Sequence, residues 1–353
     1  MRLVNILNAK PGDVISQTIL DSSGNILLRE GITLTQRYIN KLIDLGIHFI
    51  YIKDKLLEDL PHQDHHFLEI KSHTLKALTK ATTRIQYNDI TEVKNTIMTI
   101  SELIEYLIEN KDVNSMFLTE LKTYDNYTFV HSLNTCVLSL FMGIQLCYSK
   151  PMLLDLGAGA LLHDIGKMKI PQEILNKNGS LTEEEYDIMK THPEIGYDMI
   201  KGASYINERG KLIILEHHER FDGKGYPQGL KGEKISKYAR ICCITDVYDA
   251  IATDRVYRKA FPPNEAYEFI LASAGTLFDL ELVNIFKNIF SIYSIGMEVK
   301  LSNGYYAFVV GNNKGFPDKP KVRIVKDEFG NEIKPYDIDL VKHTNIGIVE
   351  IIF

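Results

Sequence analysis

Five of the eleven histidines of this 353-residue chain fall between positions 131 and 218: His131, His163, His192, His217 and His218. Two acids in the same region interrupt apolar runs. In GAGALLHDIGK an aliphatic stretch ends in His163-Asp164, and in ARICCITDVYDAIA Asp246 breaks a run whose remaining face is apolar. A buried carboxylate without a partner is expensive, so both acids call for a cation. Taken singly, each group reads as a cap or a surface residue. Taken together, that reading leaves two acids buried alone. Imidazoles and carboxylates converging from several helices suit manganese, iron or a similar metal, and thiolates are absent from the set. A carboxylate such as Asp164 can bridge two cations. Two metals ~4 Å apart activate a bridging hydroxide and stabilise the leaving oxygen of a phosphodiester. The chemistry points to metal-assisted phosphoester hydrolysis.

The pair His217-His218 opens EHHERFDGKGYPQG, residues 216–229. Adjacent histidines on a helix point ~100° apart, so they rarely serve one packing face. Either they are solvated, or each finds a separate partner in a shared polar site. Cations lie nearby in sequence. Lys167 is one turn beyond His163, and Arg255 and Arg258 in ATDRVYRKA follow Asp246. Arginine forks bind phosphate oxygens bidentately. Asp249, one turn after Asp246, reads equally as an acceptor for a guanine edge and as a solvated helix acid or cap partner.

The elements that must position these residues divide the chain by composition, and the fold class expected is mainly α. Residues 1–55 read as a small α/β or β-rich module: Val14–Leu20 and Asn25–Leu28 flank the turn Asp21-Ser22-Ser23-Gly24, Thr35 opens a helical pattern, and HFIYIKD closes it as a strand. Residues 56–119 form a helical lead-in, 120–292 the helical domain with the histidines, and 293–353 a small β-barrel-like or sandwich module with turns at Asn303-Gly304 and Phe329-Gly330-Asn331. Helical periodicity recurs over 90–110, 127–147, 151–167, 182–190, 193–204, 209–219, 236–253 and 263–273. Thr182–Glu185 and Thr191–Glu194 both have capping-box spacing. The histidine-containing LPHQDHHF, residues 60–67, reads as a linker.

Net charge is −6, so no overall basic field recruits a nucleic acid polymer or a membrane. The four cysteines lack C-x-x-C spacing and read as reduced thiols of a cytoplasmic protein. The N-terminus has no long apolar core of a signal peptide, and the most lipid-like stretch, residues 133–147, is too short to span a bilayer. The expectation is a soluble chain with no membrane span.

In this region the residues resemble the HD-GYP cyclic-di-GMP phosphodiesterases, a branch of the HD superfamily of metal-dependent phosphohydrolases. The likeness covers roughly residues 120–275, in order through YDNYTFVHSLN, GAGALLHDIGK, PQEILNKNGSLTEEEYDIMKTHPEIG, EHHERFDGKGYP and ITDVYDAIATDRVYRKA. An isolated His-Asp pair is weak evidence, whereas this ordered series is specific. The resemblance implies an all-α catalytic domain with iron or manganese held by His131, His163, Asp164, His192, His217, His218 and Asp246, Asp164 bridging. It implies that Lys167, Arg255 and Arg258 contact substrate phosphates, with Asp164 and Lys167 at the catalytic centre. It implies too that Gly225-Tyr226-Pro227 shapes the site edge, and that His217 and His218 diverge to serve different sides of one polynuclear site.

Some members of that family carry a glutamate one helical turn before the first histidine and hold three metals. Tyr127 stands there in this chain, which implies two divalent ions. The implied reaction opens cyclic di-GMP to linear pGpG, with a second cut to GMP. The competing readings are a catalytically silent cyclic-dinucleotide receptor and a hydrolase of another nucleotide phosphoester, because phosphate-binding cations do not identify bases. The end modules resemble pieces appended to such domains, with structural, regulatory or homodimer-forming roles.

Overall fold

The run LGAGALL, apolar on all sides, becomes the C-terminal half of helix Lys150–Leu162, where every residue from Asp155 to Leu162 is buried. A helix buried all round belongs at the centre of its domain. Its glycines allow that. A Cβ at Gly157 would lie 2.7 Å from Ile100, and one at Gly159 would lie 2.5 Å from the Gly210 carbonyl. Helices Thr91–Glu109 and Glu208–Glu216 can therefore pack closely against it.

The computed structural model describes residues 1–352 apart from 62, 86, 88, 111–126, 178 and 253–262. It divides into two compact units, one formed by Met1–Leu68 with the C-terminal segment from Lys287, the other by the described residues between Glu69 and Phe286.

The second unit is helical and contains all the histidines between 131 and 218. Besides the three helices above it includes Tyr127–Gln145, Glu183–Met189, His192–Ile200, Lys237–Ala252 and Pro263–Ala272. Thr182 forms a full capping box with Glu185. The second expected box does not form. Thr191 is in helical conformation and its hydroxyl donates to the Ile188 carbonyl at 2.6 Å, because the preceding helix runs almost directly into it. The helix expected over 151–167 also stops early, at Leu162, and is followed by a 3-10 turn Ile165–Lys169. No described helix is long and apolar enough to cross a membrane.

The first unit joins the two ends of the chain. Strand Arg2–Asn5 pairs antiparallel with Phe49–Ile52. The expected hairpin is shorter than its sequence pattern, Ile19–Leu20 against Ile26–Leu28, since the Thr18 N–H donates instead to the Gln63 side chain at 2.7 Å. Helix Gln36–Asp44 is capped by Thr35 and buries Ile39 and Leu42. The C-terminal strands form a five-stranded antiparallel sheet in the order Glu332–Asp339, Phe316–Lys326, Tyr306–Asn313, Glu298–Leu301, Ile348–Ile352. Arg2 reaches Glu298 at 2.7 Å and the Leu3 N–H donates to the Gly296 carbonyl at 3.0 Å.

Candidate metal centre

Five elements of the helical unit converge. Helix Tyr127–Gln145 carries His131 and helix Lys237–Ala252 carries Asp246. His163 caps the C-terminus of Lys150–Leu162, with Asp164 next to it at the start of the 3-10 turn. His192 is the first residue of its helix, and His217-His218 follow directly on Glu208–Glu216 rather than lying inside it. Gly166 makes the approach possible, since a Cβ there would overlap the His192 carbonyl oxygen. Any side chain at 166 would push the Asp164 turn away from His192.

Asp164 lies at the centre. Its Oδ2 is 3.3 Å from His163 Nε2 and 4.0 Å from His131 Nε2, while its Oδ1 is 3.3 Å from His192 Nε2 and 3.8 Å from His217 Nε2. Asp246 closes the first side, its Oδ1 3.0 Å from His131 Nε2 and 3.7 Å from His163 Nε2. Its Oδ2 is 4.0 Å from His218 Nδ1. Three groups have donor atoms close enough to share one ion: Asp164 with His192, His217 and His218; His131 with His163 and Asp164; and His163 with His217 and Asp246. Asp164 belongs to two of them.

The tautomers are set from behind. Nδ1 of His163, His192 and His217 each contacts a backbone carbonyl three residues earlier, at 2.8, 2.8 and 3.0 Å. A carbonyl only accepts, so these nitrogens carry the proton and each neutral ring turns a bare Nε2 inward. The Nε2 atoms of His192 and His217 then face each other at 3.3 Å. His163 Nε2 and Asp164 Oδ1 are buried without a hydrogen-bond partner. Lone pairs crowded together out of water are costly unless a cation lies among them, so the donor set fits a metal.

Electrostatics agree. Burial drives His217 well below its ordinary value, helped by the neighbouring imidazoles, and pushes His218 down to about 3, so both present lone pairs. Burial would raise Asp164, but its interactions with His163 and with the Lys167 ammonium outweigh that and hold the carboxyl well below its ordinary value. His131 is the exception. Burial opposes its charge, yet hydrogen bonds to Asp246 and Asp249 lift it to about 10. A metal there competes with that proton.

Asp249 does not face a ligand space. It is 6% exposed, its Oδ2 is 2.7 Å from His131 Nδ1 and its Oδ1 accepts from Asn134 Nδ2 at 2.9 Å. It therefore stands behind His131, and the guanine-edge expectation does not match this placement, because both oxygens are already engaged. Lys167 Nζ lies 2.6 Å from Asp164 Oδ2. Arg255 and Arg258 lie outside the described residues, as does the side chain of Tyr127.

Gly225-Tyr226-Pro227 comes to the centre through Tyr226, whose ring stacks on His218 with centroids 4.7 Å apart and planes at 29°. Sequence reasoning missed what holds this loop. Glu219, 2% exposed, accepts the N–H groups of Gln228 and Leu230 at 2.7 and 2.9 Å. Its only signal was an acid directly after the histidine pair.

Such a centre, imidazoles and carboxylates presented by a helical domain with an His-Asp pair at its heart, is that of an HD domain. Residues 124–282 match the HD domain model, and residues 298–353 match a KOW domain associated with HD domain. A cyclic di-GMP phosphodiesterase of Pseudomonas aeruginosa is 38% identical over 207 residues, covering 59% of this chain and 50% of its own. A 3'3'-cGAMP-specific phosphodiesterase of Vibrio cholerae is 37% identical over 125 residues, 35% of this chain and 24% of its own. An HDG"Y"P protein from Bdellovibrio bacteriovorus shares the fold, with a TM-score of 0.55 at 16% identity, over 80% of this chain and 97% of that one. Over this helical segment the chain is similar to HD domain proteins, the cyclic-dinucleotide phosphodiesterases above among them. It spans at most half the length of the two phosphodiesterases above.

Proposed function

We propose that the chain is a metal-dependent phosphodiesterase that opens cyclic di-GMP to linear pGpG, holding two divalent ions, iron or manganese, on either side of Asp164. The observation that carries this reading is Asp164 itself, one oxygen turned to His131 and His163 and the other to His192 and His217. Divalent ions held by these residues would supply Lewis acidity, lowering the pKa of a bound water and offsetting charge on the leaving oxygen.

In this reading His131, His163 and Asp246 would hold one ion, and His192, His217 and His218 the other. The carbonyls behind His163, His192 and His217 keep each Nε2 available without a change of tautomer. Asp249 takes the same part for His131 with a carboxylate, and together with Asp246 it raises that ring. The Lys167 ammonium keeps Asp164 ionised and adds positive charge where a substrate phosphate would sit. Arg255 and Arg258 are proposed for the remaining phosphate oxygens.

Anaerobic purification, metal analysis and chromatography of products from cyclic di-GMP test this reading, with His163→Ala as the control. The wild type is expected to release pGpG, and the variant to lose metal and activity while keeping its fold. Full activity in His163→Ala would sink the proposal. A second substrate also has a specific motive, the similarity to a 3'3'-cGAMP-specific enzyme. Rates on the two cyclic dinucleotides, measured side by side, decide between them.

A further inference from the structure

We propose that Glu219 is the positioning residue that latches the loop 225–230 over His218, and so sets what reaches the metal centre. The inference rests on the phosphodiesterase reading for the substrate and on geometry alone for the latch.

A carboxylate that is 2% exposed must be satisfied, and Glu219 is satisfied by the loop. Oε1 takes the Gln228 N–H at 2.7 Å and Oε2 the Leu230 N–H at 2.9 Å, on either side of Gly229. Hydrogen bonds to an ionised acceptor are about twice as strong as neutral ones, and here both converge on one residue. Two further contacts draw the loop in. The Tyr226 N–H donates to the His218 carbonyl at 3.3 Å. Gly225 leaves no room for a side chain, since a Cβ would overlap the Arg220 nitrogen and come within 2.5 Å of the His218 oxygen. Farther along, the buried Glu216 accepts the Ser236 N–H at 2.7 Å. The carboxylates flanking the histidine pair thus hold the following chain at 228 and 230 and again at 236. What the latch positions is the Tyr226 ring, stacked on His218. Releasing it moves that ring and leaves the helices that carry the other histidines in place.

The test compares Glu219→Ala and Glu219→Gln with wild type as metal-loaded proteins, by amide hydrogen exchange, metal content and steady-state kinetics. In Glu219→Ala the amides of Gln228 and Leu230 should exchange at least about tenfold faster, the equivalent of one lost charge-assisted hydrogen bond. Glu219→Gln, which keeps one acceptor oxygen, should fall between. Metal content should match wild type, KM for cyclic di-GMP should rise more than kcat falls, and adding Tyr226→Ala to Glu219→Ala should cost little more. Unchanged exchange at the two amides would overturn the latch. So would loss of metal in step with activity, or effects of Glu219→Ala and Tyr226→Ala that simply multiply. If the wild type leaves cyclic di-GMP intact, the substrate reading fails while exchange and metal content still decide the latch.

Discussion

The two units of this chain handle buried charge in opposite ways. In the terminal unit the Arg323 side chain, 15% exposed, is fully engaged: Nη1 and Nη2 meet Asp59 at 2.6 and 2.8 Å, and Nε and Nη2 meet Asp337 at 2.7 and 3.0 Å. Glu298 is likewise shared between Arg2 at 2.7 Å and Lys326 at 3.4 Å. In the helical unit, His163 Nε2 and Asp164 Oδ1 are buried with no hydrogen bond, and two imidazole nitrogens face each other. Desolvation weighs most in the helical unit, where His163 and Asp164 are almost wholly buried, and least around Arg323, whose acidic partners stay mostly exposed. Charge fully paired reads as structure, whereas crowded imidazole nitrogens beside a carboxylate oxygen without a hydrogen bond read as a ligand site.

The comparison is broken most severely at Asp164. Asp164→Ala removes an acceptor shared by two donor groups, so metal binding should be lost on both sides and activity should fall to background, read by metal analysis and product chromatography. Next comes Asp249→Asn, which leaves every proposed ligand in place but weakens the support of His131. A tenfold to hundredfold loss of metal affinity, about the usual effect of a partner behind a ligand, should appear in chelator competition. Asp59 and Asp337 are themselves mostly exposed, so Arg323→Ala should cost only about 1–2 kcal/mol of stability, with metal content unchanged. Denaturant unfolding measures it.

The smallest effect is one of pH. The Arg323 hydrogen bond lowers Asp59 from its ordinary 3.8 to about 2. A depressed carboxylate stabilises above its ordinary value and loses that contribution as pH falls through the depressed one. Wild type should therefore lose stability relative to Arg323→Ala between about pH 4 and pH 2, seen by comparing their midpoints.

Much of the centre was legible in sequence because its chemistry interrupts patterns. His163-Asp164 ends an aliphatic run and Asp246 breaks another, and both are buried. Parts set by tertiary contact were not. Asp249 lies one turn from Asp246, a spacing that places it on a face without saying whether water or Asn134 waits there. The Glu219 latch spans 9 and 11 residues through a loop, where no helical or strand period applies. The failed cap at Thr191 shows the same limit, since the motif was present but the neighbouring helix had already claimed the hydroxyl. The end modules were read separately, and contacts such as Arg2 with Glu298, 296 residues apart, lie beyond any local signal.

The central claim is that Asp164 stands between two ions. Anaerobic metal titration of the wild type, followed by isothermal calorimetry, tests it most directly. The account predicts about two divalent ions per chain, with both sites lost together in Asp164→Ala. One ion per chain, or a variant that still binds at a site unchanged in affinity, would contradict it.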